Sequence, residues 1–326
     1  MPKRRKPAPA RASSKLAASS SKPAAPKKKS SGPMLPTDRI AYSAISERAP
    51  LKLPDGARMA VWVIVNVEEW DAEQPMPRTV ITPPAGGSPS PDIPNWCWHE
   101  YGNRVGFWRI LKVFDEFSIP GTLAINGSAI AAFPPIVRAA VDRKWEFIGH
   151  GFTQRNMQKV PDEREDIRKM RAAVIKATGK PPRGWLGPGL TETWQTPDLL
   201  KEEGYDYVAD WVMDDQPVWL KTRGKPIVNV PYTQECNDVA MMLIQHHVAP
   251  EYCERAIDQF EQLYADASPE HARVMAIVLH PYIMGAPHRL KHFRKIFEVI
   301  RKQPGVLFWT GAQICDWYLA AGPQAP

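Results

Sequence analysis

Hydrophobic positions along the chain alternate between two spacings from about residue 58 onward, and they predict strands and helices in turn. Short runs rich in Val, Ile, Leu and aromatic residues predict β-strands bounded by turn residues. Eight such strands are predicted, namely RMAVWVIVNV (58–67), GTLAIN (121–126), WEFIGH (145–150), RGWLG (183–187), YDYVADW (205–211), PIVNVPY (226–232), ARVMAIVLH (272–280) and GVLFWT (305–310).

Stretches with apolar residues three and four positions apart predict helices between these strands. The predicted helices cover residues 105–117, 134–144, 161–180, 196–204, 250–267, 287–303 and 312–321. A β–α unit repeated about seven times predicts an α/β fold with a mostly parallel sheet, either open or closed into a barrel. The segment 68–103 is rich in Pro, Gly, Trp and polar residues, and a loop of this length inside a domain is usually functional.

Polar and titratable residues cluster where the predicted strands end. They are Glu68 and Glu69, Asn126, His150, Asp210 with Trp211, and His280. Gly187 ends the fourth predicted strand. The carboxyl ends of parallel strands lie on one rim, where proteins of this class build their active sites. The sequence therefore predicts a shared pocket at this rim. Two adjacent carboxylates at the end of a buried strand are costly unless the site uses them.

The basic charge of the chain belongs to its first residues. Of 42 Lys and Arg, ten lie within residues 1–30, which contain no acid, so the remainder carries 32 basic against 35 acidic residues. This stretch of Ala, Pro, Ser and Lys buries too little apolar surface to fold. We expect residues 1–35 to form a disordered basic tail and residues 36–326 to form the folded domain. A solvated tail is favoured over tail-mediated nucleic-acid contact, which would be salt-dependent.

Other features of the composition predict a cytoplasmic protein. No apolar run approaches the roughly 20 residues of a membrane span, and the first residues lack the apolar region of a secretory signal. The four cysteines are scattered and none forms a CxxC pair, which is typical of reduced, buried residues in a cytosolic protein.

The series of residues at the rim resembles the polysaccharide deacetylase (NodB-homology) superfamily. The matching features are the acidic pair Glu68–Glu69 after the first strand, His150 followed by Gln154, the turn GWLGPG, and VLH ending in His280. The chain is more similar to the PuuE-type, allantoinase-like branch. Stretches typical of that branch are NVEE (66–69), EYGNRVG (100–106), PYTQECND (231–238) and GAPHR (285–289). The resemblance extends over about residues 45–318.

The resemblance implies a distorted (β/α) barrel of about seven parallel strands and a hydrolase of carbon–nitrogen bonds other than peptide bonds. Metal-dependent members use one Asp and two His as ligands, whereas this chain has Glu69, His150 and Gln154. Gln is a poor zinc ligand, so Glu69 and His150 are only weak metal candidates and we expect no cofactor. The turn GWLGPG also lacks the Arg with which the branch would grip a polar ring, which argues against allantoin itself.

Three residues are the catalytic candidates. Glu68 would act as the general base, with a pKa raised by burial and by the neighbouring carboxylate. His150 would polarise the carbonyl or hold the water, and His280 would protonate the departing nitrogen. The candidates for substrate binding are Glu69, Arg104, Trp185, Asp210, Trp211 and Asn237.

Several alternatives stay open at this stage. Arg104 could instead tie the loop to an acid. Asp210, Asp214, Asp215, Asn237 and Asp238 could orient the histidines or cap turns. Other histidines, including His99, are expected at the surface or in packing. The favoured substrate is a small cyclic amide or ureide. The alternatives are the N-acetyl groups of chitooligosaccharides and a barrel that binds a ligand without catalysis. Homo-oligomers would be compatible with the resemblance.

Overall fold

A computed structural model of the chain describes residues 32–87 and 89–325. From Met34 onward the chain forms one compact unit. Most of the predicted tail, residues 1–31, lies outside the described residues. In the described part, no helix is both long enough and apolar enough to cross a membrane.

Nine strands form one sheet in the described residues. They are β1 (Met59–Val67), β2 (Gly121–Ile125), β3 (Glu146–Gly149), β4 (Gly184–Trp185), β5 (Tyr207–Val208), β6 (Val218–Leu220), β7 (Ile227–Asn229), β8 (Arg273–Leu279) and β9 (Val306–Phe308). The order across the sheet is β6-β7-β5-β4-β3-β2-β1-β8, and β9 pairs with β1 beside the start of that strand. All the pairings are parallel except that of β6 with β7.

The sheet is curled into an incomplete barrel, which confirms the predicted α/β barrel class. The predictions did not include β6, the antiparallel strand. Its sequence VWL is too short to give a periodic signal, and its pairing with β7 depends on a turn at residues 221–226. The hydrogen-bonded path described here ends at β6 on one side and β8 on the other.

Helices pack against the sheet. The described helices are α1 (Pro36–Arg39), α2 (Ile93–Tyr101), α3 (Phe107–Phe117), α4 (Gly127–Ala132), α5 (Pro134–Asp142), α6 (Glu163–Thr178), α7 (Thr196–Glu202), α8 (Ala249–Asp266), α9 (Pro281–Met284), α10 (Pro287–Ile300) and α11 (Gly311–Ala320). There are also two π-helical turns in the described residues. Gly102–Gly106 connects α2 with α3, and Val239–Ile244 precedes α8. Helix α2 lies inside the segment predicted as a loop, where Asp92 caps its first turn by accepting from Asn95 N.

Strand β1 is the centre of the fold because β2, β8 and β9 all pair with it. Its nine residues are all buried, as is typical of a parallel strand covered on both faces. Alternate residues point to two apolar clusters. Met59, Val61 and Val63 pack toward the outer helices. Trp62 and Ile64 pack inside the curled sheet together with residues of α11.

Candidate active site

The carboxyl ends of four neighbouring strands bring their polar residues to one place. Glu68 follows β1, Asn126 follows β2, His150 follows β3 and His280 follows β8. All four side chains are buried. The structure thus brings these four predicted residues together, and the sheet order explains it, because these strands are adjacent in the order β3-β2-β1-β8.

The Glu68 carboxylate lies at the centre of this group. Its Oε2 atom accepts a hydrogen bond of 2.8 Å from Nε1 of Trp70. Its Oε1 atom lies 3.8 Å from Nε2 of His150 and 3.6 Å from Nε2 of His280. These two distances are too long for direct hydrogen bonds. The two imidazoles thus face one carboxylate oxygen across gaps that a polar ligand atom could bridge.

His150 is oriented by the backbone of the next strand segment. Its Nδ1 atom lies 2.7 Å from the carbonyl oxygen of Leu186. Since a carbonyl only accepts hydrogen bonds, Nδ1 carries a proton, and in neutral His150 the Nε2 atom has a lone pair. Gly151 follows with φ +67°, a conformation that side chains rarely adopt, so the chain turns away immediately after the histidine.

His280 is oriented by a buried carboxylate. Its Nδ1 atom lies 2.7 Å from Oδ1 of Asp238, and its backbone N–H donates to Oδ2 of the same residue at 2.8 Å. Asp238 is fully buried. Two carboxylates, Asp238 and Glu68, therefore flank the His280 ring. This arrangement fixes the orientation of the ring and directs its Nε2 atom toward Glu68.

The pKa of Glu68 differs from the expectation drawn from the sequence. Burial raises this pKa, but the imidazoles of His150 and His280 lower it by a larger amount. The net pKa of Glu68 is about 2. The expectation of a raised pKa was wrong because the nearest charges are histidines rather than Glu69. Glu68 is therefore an ionised carboxylate at neutral pH.

The weak metal candidates do not form a metal site. Glu69 is half-buried, and its backbone N–H donates to Oδ1 of Asn126 at 3.1 Å. The Oε1 atom of Gln154 accepts a hydrogen bond of 3.0 Å from Nδ2 of Asn126, so the Gln154 amide contacts another side chain of the rim. Within residues 32–87 and 89–325, no group of three His, Cys, Asp or Glu side chains is arranged to hold a metal ion. The donor set thus does not fit the metal that the family's pattern implies.

A second acidic pair lies in the segments that follow β4 and β5. The carboxyls of Glu192 and Asp210 are neighbours, and Oε1 of Glu192 and Oδ2 of Asp210 are buried without a hydrogen-bond partner in the described residues. Burial raises the pKa of both, that of Asp210 to about 7, and the charge of Asp210 raises the pKa of Glu192 further. Burial of two neighbouring carboxyls thus favours a protonated form near neutral pH. Asp210 also accepts from Gly187 N at 2.7 Å, one residue after the carbonyl that holds His150.

Glu192 of this pair lines a cavity of about 480 Å³. Trp211, whose Nε1 donates to Oε2 of Glu192 at 3.0 Å, and Trp194 form its aromatic walls. Of the predicted residues, Trp211 lines this cavity and Asp210 lies next to it in the chain.

Three predicted substrate-binding residues need correction. Trp185 is fully buried in the core and packs on Tyr205 with ring centroids 5.6 Å apart, so it supports the strands rather than facing a ligand. Arg104 is exposed in the π-helical turn and its charge acts on Glu100. Asn237 caps a turn through Oδ1, which accepts from Val239 N. Its neighbour Asp238 contacts the histidine instead, and periodicity alone does not distinguish two adjacent polar residues.

Aromatic residues of the loop after β1, of α2 and of α9 form one wall of the site. His99, expected at the surface or in packing, is buried and stacks on Trp70 with ring centroids 4.3 Å apart. Tyr282 lies 5.0 Å from His99 by ring centroids. Asn103 donates to the Glu68 carbonyl at 3.0 Å. The position of Tyr282, two residues after His280, is the sequence signal that could have identified it.

A fold with these strand-end residues is that of hydrolases that cleave carbon–nitrogen bonds other than peptide bonds, and comparisons with known proteins agree. The family model for polysaccharide deacetylase matches residues 97–208. The chain is 31% identical to "Putative polysaccharide deacetylase" of Schizosaccharomyces pombe, over 83% of this chain and 93% of that protein. It is 28% identical to a peptidoglycan deacetylase of Helicobacter pylori, over 73% and 92%. The chain belongs to the polysaccharide deacetylase family.

A solved structure extends this relationship to the allantoinase-like branch. The crystal structure of PuuE allantoinase superposes with a TM-score of 0.75 at 27% identity, covering 91% of this chain and all of that one. The superfamily and branch resemblances predicted from the strand-end motifs are thereby confirmed. Both kinds of relative share the barrel on which Glu68, His150 and His280 converge.

Proposed function

We propose that this protein opens a small cyclic amide or ureide by acid–base attack of water, without a metal ion. The observation that carries the proposal is the convergence of Nε2 of His150 and of His280 on Oε1 of Glu68. A base, an acid and an anion within one buried site are the groups that hydrolysis of an amide requires. All three are oriented by their own partners, so little reorganisation is needed on binding.

His150 is the proposed base. The Leu186 carbonyl fixes a proton on its Nδ1, so Nε2 of the neutral ring can accept a proton from water. This assignment replaces Glu68 as the base, because Nε2 of His150 has no hydrogen-bond partner in the described residues, whereas Oε2 of Glu68 already accepts from Trp70. Glu68 instead orients the water and balances the positive charge that develops on the imidazole.

His280 is the proposed acid. Asp238 and Glu68 flank its ring, and the acid form would transfer its Nε2 proton to the departing nitrogen. In the reaction, water loses a proton to His150 and its oxygen bonds to the carbonyl carbon. The carbonyl π electrons move to oxygen to give an oxyanion. Collapse of this oxyanion breaks the carbon–nitrogen bond, and the nitrogen leaves with the proton from His280.

The closed surroundings of Glu68 support a small substrate. Trp70, His99 and Tyr282 form an aromatic wall that fits a compact ring rather than a long chain. All four cysteines are unpaired, which supports a reducing compartment, and we propose the cytoplasm.

A second candidate is N-deacetylation of a polysaccharide or chitooligosaccharide. Two observations favour it. The curated relatives are named as deacetylases of polysaccharide and peptidoglycan. The cavity also presents Trp194 with 55% of its surface exposed, together with Trp211, and such aromatic faces stack on sugar rings.

One experiment tests both candidates and the alternative of a binding protein without activity. The purified protein and its Glu68→Gln variant are assayed against allantoin, hydantoins, cyclic imides and N-acetylglucosamine oligomers, with and without a chelator. We expect ring opening that resists the chelator, and a loss of about 10²–10⁴-fold in kcat for Glu68→Gln with little change in ligand affinity.

The other outcomes each identify a different function. Release of acetate that the chelator abolishes would contradict the metal-free mechanism, and Glu68, His150 and His280 would then be re-examined as ligands. Binding of a panel compound without turnover by the wild type would favour the non-catalytic barrel. Glu68→Gln is a specific test, because Gln keeps the size of Glu68 and removes only its charge.

A further inference from the structure

Three buried polar atoms around Glu68 have no hydrogen-bond partner in the described part of the chain. They are Nε2 of His150, Nδ1 of His99 and the hydroxyl of Tyr282. A buried polar group without a partner is destabilising, and native proteins contain few of them. Three such atoms in one aromatic pocket indicate a place where a polar ligand supplies the missing partners.

Tyr282 is held rigidly within this group. It is only 2% exposed. Its ring centroid lies 5.3 Å from that of Trp70, 5.1 Å from Trp98, 5.0 Å from His99 and 5.8 Å from His280. Trp70 is the residue that donates to Glu68, so Tyr282 lies between that carboxylate's partner and the proposed acid. Neighbours on several sides leave the ring little freedom to rotate.

The Tyr282 hydroxyl is a proton donor throughout the physiological range. Burial raises the pKa of Tyr282 well above its usual value, and the charges of Glu68 and Asp238 raise it further against the attraction of Arg78. A phenol that stays protonated beside two carboxylates can donate to an oxygen that gains negative charge. Nε1 of Trp70 already donates to Glu68, whereas the Tyr282 hydroxyl has no hydrogen-bond partner in the described residues.

We propose that Tyr282 is a further catalytic residue, whose hydroxyl donates a hydrogen bond to the carbonyl oxygen of the scissile amide. This inference rests on the proposed function, because it needs an oxyanion to form. The bond strengthens when water oxygen bonds to the carbonyl carbon and the π electrons move to the carbonyl oxygen. The proton stays on Tyr282, while His150 and His280 carry the transferred protons.

The Tyr282→Phe variant tests the inference because it removes one oxygen and leaves the ring. We expect kcat to fall about 100-fold, with KM changed by less than about threefold, since the hydrogen bond acts mainly in the transition state. The melting temperature should stay the same or rise, because the variant removes an unpartnered buried hydroxyl. Kinetics are measured on whichever compound of the panel the wild type hydrolyses.

Tyr205→Phe is the matched control. Its hydroxyl is also buried without a partner in the described residues, but its ring packs on Trp185 in the core. The control should keep the kcat of the wild type. Equal kcat for Tyr282→Phe and the wild type would overturn the inference, as would a kcat loss accompanied by an equal loss in Tyr205→Phe or by a lower melting temperature. A wild type inactive on the whole panel would instead overturn the proposed function, and this inference with it.

Discussion

His99 shows how burial sets the chemistry of a single side chain. Its imidazole stacks on Trp70 and is 1% exposed. Burial lowers its pKa to about 4, although the negative charge of Glu68 acts in the opposite direction. At pH 5 the folded protein therefore holds His99 neutral, whereas the unfolded chain protonates it. The uncharged ring can stay against Trp70 without a counterion.

This difference predicts a loss of stability in mild acid. Below the ordinary pKa of 6.5 the unfolded state binds the proton and the folded state does not, so stability is complete above pH 6.5 and falls toward pH 4. Between pH 7.5 and 5.0 the wild type should lose about 2 kcal/mol more unfolding free energy than His99→Phe. Urea denaturation at the two pH values measures the difference.

An exposed histidine provides the control for this prediction. His288 lies on the surface of α10. His288→Phe should show the same pH dependence as the wild type. An unchanged pH dependence in His99→Phe would mean that other groups cause the acid sensitivity.

At the scale of elements, the approach of two backbones fixes the aromatic wall. The π-helical turn Gly102–Gly106 packs directly on α9, which begins immediately after His280. A Cβ atom at Gly102 would lie 2.2 Å from the backbone N of Tyr282. Backbone atoms cannot move aside as a flexible side chain can, so only glycine fits here.

Gly102→Ala should therefore displace α9. We expect a loss of about 3 kcal/mol in unfolding free energy, at the upper end for overpacking, and at least a tenfold loss of kcat. Thermal melting and steady-state kinetics measure both effects. Gly224→Ala is the control, because its nearest neighbour lies 3.8 Å away, and it should behave as the wild type. Normal kinetics in Gly102→Ala would show that the position of α9 does not matter for turnover.

The elements also show what the sequence can predict. The long strand β1 and the amphipathic helices α3, α8 and α10 were predicted within a few residues, because their apolar periods are strong. The strand-end positions of Glu68, His150 and His280 followed from the parallel order alone. Helix α2 was missed, because its sequence IPNWCWHEY has a weak apolar period and a proline in its first turn.

The residues missed in the site depend on contacts between distant segments. The charge state of Glu68 depends on how closely two histidines from other strands approach it, which no local pattern encodes. The choice of Asp238 over Asn237 depends on a bridge between Asn237 and Val278 that brings the next side chain to His280. The burial of Trp185 likewise follows from packing against Gly149 and Tyr205.

At the scale of the whole molecule, a buried ion pair ties the first helix to the barrel. Arg39 of α1 is 2% exposed, and its Nη2 atom lies 2.8 Å from Oδ2 of Asp198 in α7. It also donates to the carbonyl oxygens of Trp194 and Lys221. One guanidinium thus joins four segments, including the segment that forms the cavity wall.

Removing this guanidinium leaves a buried carboxylate without its main counterion. Arg39→Met should cost about 3–5 kcal/mol of unfolding free energy, measured by urea denaturation. The double variant Arg39→Met/Asp198→Leu should be more stable than the single variant, because it removes the uncompensated charge.

An exposed pair gives the comparison for this cost. Arg143 and Asp115 form a surface ion pair of 2.6 Å. Arg143→Met should cost less than about 1 kcal/mol. Equal costs for the two Arg→Met variants would show that burial does not determine the contribution of Arg39.

A proton held by the buried carboxyls of Glu192 and Asp210 would link occupancy of the cavity to hydrogen-ion exchange. A cationic group in the cavity would draw the proton off the pair, and a neutral ring that excludes water would retain it. The apparent affinity of the cavity then varies with acidity around pH 7, independently of the ionisations at Glu68. Ligand affinity and turnover would thus each have their own dependence on pH.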